Sequence, residues 1–353
     1  MASFLTITPH TYTHTHAAET KLETYHHNVP LYVVNRHSKS RIGRGMGFST
    51  SKGYVGEKVY DELVKAGFEV TVLARSNLRN EENVRVIDYD STESLTQALL
   101  GHDAVVSTLA VAAWPLQYKL IDAAVKAGSV KHFIPSDYTA LSSCPEVAHL
   151  PFYKDARATQ EYLRDKTEKS GMKWTVVATG PLLGCVLNGS YMYNFQEQTA
   201  LQVSNQNHQV SMTRRHTLGK AIAAILSKSN EVRSGPMFIH DVVTTQTEML
   251  RMAEKASGKK WPVQHVEGEA KVQEGLDMLN KAGANGPVFA TFLIIHGTIF
   301  GGKYRTAWDG EGNKFLDLPM LPKDEFESLI EQRVRNEPID GGLPWNSTPK
   351  PRK

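Results

Sequence analysis

The chain has 353 residues, of which 41% are hydrophobic, and its 40 basic and 37 acidic residues give a formal net charge of +3. This length favours about two domains, and the apolar fraction is enough for a sizeable core. Because charges of both signs are interspersed, no electrostatic surface for nucleic acid or an acidic membrane is predicted. No apolar run reaches about twenty residues, and the amino-terminal residues lack the apolar core of a secretory signal. We therefore expect a cytoplasmic protein that crosses no membrane.

The two cysteines, Cys144 and Cys185, argue for a reducing compartment and against a disulfide framework in a chain of this length. Residues 1–29 are rich in Thr and His and show no sustained hydrophobic period, which predicts a disordered tail. A metal site is the alternative for this tail, because five of its residues are candidate ligands: His10, His14, His16, His26 and His27. Tails of this composition are far more often unstructured, so we predict no metal.

A dinucleotide-binding domain is predicted over residues 30–180, and the apolar run Leu31–Val34 is its candidate first strand. Residues 37–52 follow as a basic segment rich in Ser and Gly. They separate the strand from the glycine turn at Gly53. We interpret them as an atypical insertion.

The stretch Lys52–Ser76 predicts a glycine turn, an amphipathic helix and a buried strand. Gly53 and Gly56 open the helix, an apolar face recurs at helical spacing (Val55, Val59, Leu63, Val64), and Gly67 ends it. The strand Val70–Ala74 follows at once, which is an α-to-β step of a parallel sheet. The free N–H groups of such a helix favour a phosphate, and glycines allow its close approach. Arg75, just past the strand, suits the 2′-phosphate of NADP.

Beyond Arg75 the alternation of strands and helices is regular. Strands are predicted near residues 84–87, 103–109, 132–136 and 174–179, with helices between them. The predicted fold class is therefore α/β, a Rossmann-type doubly wound parallel sheet. A second, smaller α+β substrate domain is predicted over residues 181–337, and residues 338–353 are predicted to form a flexible tail.

Six motifs in this order resemble one family: G-Y-V-G from Gly53, V-T-V-L-A-R ending at Arg75, D-A-V-V-S-T-L-A from Asp103, H-F-I-P-S-D-Y from His132, F-Y-K from Phe152, and W-T-V-V-A-T-G-P from Trp174. From Gly53 to about residue 335 the chain resembles the NmrA-like, isoflavone-reductase-like branch of the atypical short-chain dehydrogenases. The resemblance implies a Rossmann domain with a small substrate domain and the cofactor NADPH. In that family a G-x-x-G-x-x-G turn follows the first strand, whereas Thr50 stands here in place of the first glycine. Either the cofactor site is degenerate or residues 37–52 are retained intron sequence.

The resemblance also implies site residues. The cofactor-binding set comprises Gly53, Tyr54, Val55, Gly56, Arg75, Thr108, Leu109, Ala110 and Ser136. The catalytic candidate is Lys154, which corresponds to the family's acid/base lysine, and we expect the flanking Phe152 and Tyr153 to desolvate it and lower its pKa. An ordinary solvated lysine is the alternative on residue type alone.

Tyr162 and Lys166 form Y-x-x-x-K, the pair through which many short-chain dehydrogenases polarise a carbonyl. Here the tyrosine lies two turns into its helix, on a charged stretch, so a solvated helix face is favoured.

These observations predict an NADPH-dependent reductase that moves a hydride to a small aromatic or conjugated organic substrate. The alternatives are a NAD(P)-sensing regulator of the NmrA type without turnover, and a scaffold without a ligand. Lys154 favours the enzyme, and the altered glycine turn favours the alternatives. Homodimerisation stays open.

Overall fold

The computed structural model describes residues 31–35, 53–77, 80–189, 192–282, 288–340 and 342. Its strands within these residues are β1 (Leu31–Asn35), β2 (Glu69–Ala74), β3 (Val84–Val86), β4 (Ala104–Ser107), β5 (His132–Ile134), β6 (Lys173–Ala178), β7 (Tyr193–Asn194), β8 (Thr199–Val203), β9 (Val210–Met212), β10 (Gly235–Phe238), β11 (Val242–Thr244) and β12 (Val263–Val266). Its helices there are α1 (Tyr54–Lys65), α2 (Thr92–Leu99), α3 (Leu116–Ala127), α4 (Pro151–Thr167), α5 (Leu183–Asn188), α6 (Arg215–Ser227), α7 (Gln246–Ser257), α8 (Gly268–Ala282), α9 (Val288–Phe300), α10 (Glu311–Phe315) and α11 (Lys323–Val334).

Seven of these strands form one twisted sheet in the order β3-β2-β1-β4-β5-β6-β10. All of them except β1 run in the same direction. Helices α1 and α6 cover one face of the sheet, and α2, α3 and α4 cover the other. The predicted doubly wound α/β class is therefore confirmed, as a mostly parallel sheet.

The hydrophobic period of α1 explains how it packs. Val59 and Leu63 are fully buried against the sheet, as their spacing predicts. Val64, which was predicted to share that face, is 45% exposed. The apolar stripe is therefore narrower than the sequence indicates.

The first strand runs opposite to its predicted direction. Leu31 pairs with Leu73 and Ser107, at the carboxyl ends of β2 and β4, and Asn35 pairs with Glu69 at the amino end of β2. The predicted parallel arrangement is therefore wrong for β1, which is antiparallel to both of its neighbours. A short apolar run that is buried on both faces fills the central place in either direction, so its composition does not determine the direction. Thr50 and the insertion at 37–52 lie outside the described residues.

The boundary between the two halves of the chain differs from the predicted one at residue 180. Strand β10 pairs in parallel with β6, and helix α6 packs against α1, so both belong to the sheet half although they fall within residues 181–337. The substrate half is therefore not one continuous segment.

The second half has its own core. Small sheets of β7-β8-β12 and β9-β11 lie beside helices α5, α7, α8, α9 and α11. Their apolar side chains form one cluster that includes Leu187, Met212, Met249, Ile294 and Phe326. Helices α8 and α9 pack along their length, and Gly275 lets them approach, since a Cβ there would lie 2.6 Å from the Ala290 carbonyl oxygen. Among the described helices, none has both the length and the apolar character needed to cross a bilayer.

Residues 338–340, which were predicted to begin the flexible tail, are packed. The Ile339 side chain is only 3% exposed and joins the core of the second half. The amide of Asn188 in α5 donates to the Ile339 carbonyl (2.8 Å) and accepts from its N–H (3.0 Å). The tail therefore does not start at residue 338.

Candidate active site

The amino terminus of α1 faces the carboxyl edge of the sheet. Gly53 has φ of 69°, and apart from its chain neighbours no heavy atom of the described residues lies within 4 Å of the place where a Cβ would stand, so these residues leave the turn uncovered. The first bond inside the helix runs from the Glu57 N–H to the Gly53 carbonyl (3.2 Å). The N–H groups of Tyr54, Val55 and Gly56 precede that bond, so they are the ones that an anion can accept from.

Gly56 is the point of closest approach between α1 and the sheet. A Cβ at this position would lie 2.6 Å from the Tyr32 hydroxyl and 3.0 Å from Oγ1 of Thr108. Tyr32 and Thr108 are hydrogen-bonded to each other, and burial, which outweighs this bond, raises the pKa of Tyr32. Strand β1 thus meets the glycine turn through a buried hydroxyl, a contact that the sequence does not indicate.

Side chains from neighbouring strands hold the segment that leaves β4. The Ser136 hydroxyl donates to the Leu109 carbonyl (2.7 Å), and the Ser136 N–H donates to Oε1 of Gln117 (2.6 Å). The Tyr138 hydroxyl donates to the Ser107 carbonyl (2.6 Å). Thr108, Leu109 and Ala110 are therefore fixed at the carboxyl edge, and Ser136 acts on this segment through Leu109.

Arg75 follows β2 with an exposed side chain. Its Cζ lies 5.7 Å from the ring centroid of Tyr89, whose hydroxyl donates to the Leu73 carbonyl (2.9 Å). Beside it Lys119 pairs with Asp90 (Nζ to Oδ1, 2.8 Å), and this hydrogen bond, with a smaller effect from Arg75, lowers the pKa of Asp90. The sequence pattern indicates Arg75 but not Lys119, because helix α3 brings Lys119 here from 29 residues beyond Asp90.

Lys154 lies in the first turn of α4, where its N–H donates to the Leu150 carbonyl (2.8 Å). Its side chain is exposed and makes no hydrogen bond or ion pair with another of the described residues. The two aromatic neighbours point into the interior instead: Phe152 stacks on Trp114 at 5.2 Å, and the Tyr153 hydroxyl meets Oγ1 of Thr298 at 2.7 Å. The expected desolvation of Lys154 by these rings is therefore not seen.

Both side chains of the Y-x-x-x-K pair contact Asp122 in helix α3. The Tyr162 hydroxyl donates to both oxygens of Asp122 (2.8 and 2.9 Å), and Lys166 Nζ lies 3.0 Å from the same carboxylate. The three side chains tie α4 to α3 and lie on a partly exposed surface. Because the Tyr162 hydroxyl already donates to Asp122, the Tyr162–Lys166 pair is a structural contact between helices α4 and α3.

A buried carboxyl group lies close behind the site. Asp137, directly after Ser136, accepts from Nε2 of Gln160 (2.9 Å) and from the N–H and hydroxyl of Thr139 (both 3.2 Å). Burial, partly offset by these bonds, raises the pKa of Asp137. Gln160 stands 23 residues away, so only the folded structure reveals the pair.

A cavity of about 700 Å³ opens between the loop before α4 and helices α8 and α9. Its lining includes His149, Leu150, Val272, Leu276, Thr298 and Tyr304. Leu150 links this cavity to Lys154, since its carbonyl accepts the Lys154 N–H. Three apolar side chains, Leu150, Val272 and Leu276, share its wall with polar and charged groups that include Glu267, Glu269 and Lys303.

Comparison with known proteins agrees with this arrangement. The model of the NmrA-like family matches residues 49–288. "Oxidoreductase aprR" of Aspergillus flavus is 30% identical over 277 residues, which cover 74% of this chain and 90% of that protein. "Isoflavone reductase homolog" of Solanum tuberosum is 33% identical over 147 residues, which cover 37% of this chain and 47% of the relative.

Among solved structures, one described as "AtPrR2 with NADP+ and (+)pinoresinol" superposes with a TM-score of 0.63 at 17% identity. The superposition covers 80% of this chain and 95% of the other, which shows a shared fold. The glycine-opened helix, the mostly parallel sheet and the extent of these matches lead to one conclusion: the chain belongs to the NmrA-like family.

Proposed function

We propose that the protein is an NADPH-dependent reductase that delivers a hydride to a small aromatic or conjugated organic substrate. The observation that carries this proposal is the open amino terminus of α1 at the same sheet edge as the exposed Arg75. A helix amino terminus favours a pyrophosphate, and an arginine beside the neighbouring strand favours a 2′-phosphate. The named relatives, oxidoreductases and reductases, support the same class of reaction.

The described residues fit such a cofactor. The N–H groups of Tyr54, Val55 and Gly56 would hold the pyrophosphate, because Gly53 leaves open space in front of them. Arg75 would pair with the 2′-phosphate, and Thr108 to Ala110, fixed by Ser136, would line the path along the sheet edge. When bound, the nicotinamide supplies the hydride.

Lys154 would handle the proton. Its exposed ammonium group has no competing partner among the described residues, so it is available to a substrate oxygen. The cavity beside Leu150 would receive the substrate, since it starts one helical turn from Lys154. Leu150, Val272 and Leu276 in its wall would contact an aromatic or conjugated ring, and its polar groups would contact the ring's substituents.

The test has two stages. First, thermal shift and fluorescence titration compare NADPH with NADH; we expect NADPH to stabilise the protein and to bind more tightly. Second, oxidation of NADPH is followed with a panel of aromatic enones, benzylic ethers and quinones; we expect turnover of at least one class. Tight binding without any turnover would favour a cofactor-sensing protein, and no binding of either nucleotide would overturn the proposal.

A further inference from the structure

Arg215, the first residue of α6, is a buried cation that touches the cofactor turn. Its side chain is only 4% exposed. Its Nη1 donates to the Tyr54 carbonyl (2.6 Å), and its Cζ lies 3.9 Å from the centroid of the Tyr54 ring. Oε2 of Glu57, in the same first turn of α1, lies 3.8 Å from Nη1 of Arg215. Arg215 thus contacts the first turn of α1 at Tyr54, the residue that follows Gly53.

The carboxyl-terminal residues complete this contact. Arg215 Nε donates to Oδ2 of Asp340 (2.8 Å), and Arg215 Nη2 donates to the Asp340 carbonyl. Asp340 is placed by its neighbour Ile339, which is buried and bonded twice to Asn188. We name residues 338–340 the carboxyl-terminal strap.

The Tyr54 side chain reaches from the cofactor turn into the second half of the molecule. A Cβ on Gly184 in α5 would lie 2.7 Å from the Tyr54 hydroxyl and 3.7 Å from Oδ2 of Asp340. The hydroxyl also lies against Cys185, and burial raises the pKa of Tyr54. The helix that offers its amide groups to the phosphates is therefore attached to α5, α6 and the strap at one point.

A buried guanidinium is stable only while its partners stay in place, because an unpaired buried charge is costly. Loss of Asp340 would leave Arg215 with the Tyr54 carbonyl and the distant Glu57. The arginine would then reorient, and the first turn of α1 would lose its fixed position. A phosphate site built from backbone N–H groups depends on that position.

We infer that Arg215 and Asp340 are positioning residues for the cofactor turn, and that docking of the strap preorganises the amino terminus of α1 for the dinucleotide phosphates. This inference rests on the proposed cofactor site. It assigns a role in binding to residues that lie 161 positions after the turn and 125 positions further on.

The test measures the NADPH dissociation constant and, in the protein without ligand, the hydrogen exchange of the amides of residues 57–60, which are bonded within the start of α1. In Asp340→Asn, which keeps the size and removes the charge, we expect NADPH to bind about tenfold more weakly. The same amides should exchange faster while those of β4 and β5 stay protected. Arg215→Lys retains the charge, so its NADPH dissociation constant and its amide exchange rates should lie between those of the wild type and those of Arg215→Met.

The matched control is Arg214→Met. Arg214 also pairs with a buried carboxylate, Asp241 (Nη2 to Oδ1, 2.8 Å), but none of its hydrogen bonds or ion pairs with the described residues reaches α1. Arg214→Met should lower thermal stability without changing NADPH affinity or amide exchange at residues 57–60.

Unchanged affinity and exchange in Asp340→Asn, or equal effects in Arg214→Met, would overturn the inference. If the wild type bound neither nucleotide, the proposed function would fail, and the amide exchange of residues 57–60 in Asp340→Asn would still decide whether the strap orders the turn. Should Arg215→Met not fold, the comparison of Asp340→Asn with the wild type decides the question by itself.

Discussion

The exposed guanidinium of Arg75 lies over Tyr89 at the edge of the sheet and makes no hydrogen bond with another of the described residues, so it is available to a ligand. In Arg75→Ala we expect NADPH affinity to fall by about one to two decades, because a bidentate charge-assisted contact contributes about 1.5 to 3 kcal/mol. NADH, which lacks the 2′-phosphate, should bind nearly as before. Fluorescence titration with both nucleotides measures the difference, and an equal loss for the two would remove Arg75 from the 2′-phosphate.

Lys154 should be needed for turnover and not for holding the cofactor, since its proposed task is a proton transfer along the reaction. General acid/base groups supply about two to four decades in rate, so Lys154→Met should lower kcat within that range while the NADPH dissociation constant stays nearly constant. Steady-state kinetics on the best substrate of the panel make the comparison.

The control variant is Lys166→Met. Because Lys166 is held by Asp122 on the outer surface of α3 and α4, its loss should change kcat little. If Lys166→Met abolished activity and Lys154→Met kept it, the tyrosine-lysine pair would be the catalytic one.

Single residues were predictable from sequence only where a local motif carries them. Gly53 and Gly56 stand out by their spacing before an amphipathic helix, and Arg75 by its place after a buried strand. No local sequence motif marks Lys119, Gln160, Arg215 or Asp340. Their partners are brought together by the crossing of elements, and no periodicity in the sequence indicates which helices cross.

At the scale of elements, the reversed β1 makes a specific prediction. Gly56→Ala would place a methyl group against the Tyr32 hydroxyl, so we expect overpacking to reduce the free energy of unfolding by about 1 to 3 kcal/mol. Tyr32→Phe removes the hydroxyl and its bond to Thr108, at a cost of about 1 kcal/mol. In the double variant the added methyl group no longer meets a hydroxyl. The double variant should therefore lose less free energy of unfolding than the sum of the losses of the two single variants.

Urea unfolding of the two single variants and the double variant gives this coupling. The matched control is Val64→Ala on the exposed side of α1, which should show no coupling with Tyr32→Phe. Strict additivity for Gly56 and Tyr32 would mean that Tyr32 does not face α1, and thus that Leu31–Asn35 is not the central strand in this register.

The elements themselves were largely predictable, because alternating buried strands and amphipathic helices of regular length allow few topologies. Two features were not. The direction of β1 depends on the segment that connects it to the next element. A five-residue apolar run has the same pattern in either direction. The place of β10 beside β6 depends on a return of the chain from the second half, and Gly235–Phe238 does not encode it.

For the whole molecule, acid should be destabilising. His102, His208, His216, His240 and His296 all have a pKa lowered chiefly by burial. For His296 in α9 the pKa falls from 6.5 to about 4, through burial and the nearby charge of Lys271. A depressed histidine pKa means that the unfolded chain binds the proton first. The stabilisation is therefore present above pH 6.5 and is lost as the pH falls toward 4.

His296 alone should account for about 2 kcal/mol of lost stability between pH 7.5 and pH 5. Urea midpoints across that range measure the total slope. In His296→Met, which is neutral at every pH, the slope should become shallower. In His149→Met, at an exposed position, it should stay as in the wild type, and an unchanged slope in His296→Met would show that another group governs the acid response.

The strap also bears on the order in which the molecule can form. Arg215 joins Tyr54 across 161 residues and Asp340 across a further 125, so these contacts are among the most distant in sequence that the described chain makes. During synthesis the helix α1 leaves the ribosome early, β10 joins the main sheet only after residue 238, and Asp340 follows about a hundred residues later. Contacts between residues this far apart in sequence form slowly during folding. The main sheet should consequently assemble at a stage when the turn at Gly53 is still loose, and that turn would become ordered only after residue 340 has docked.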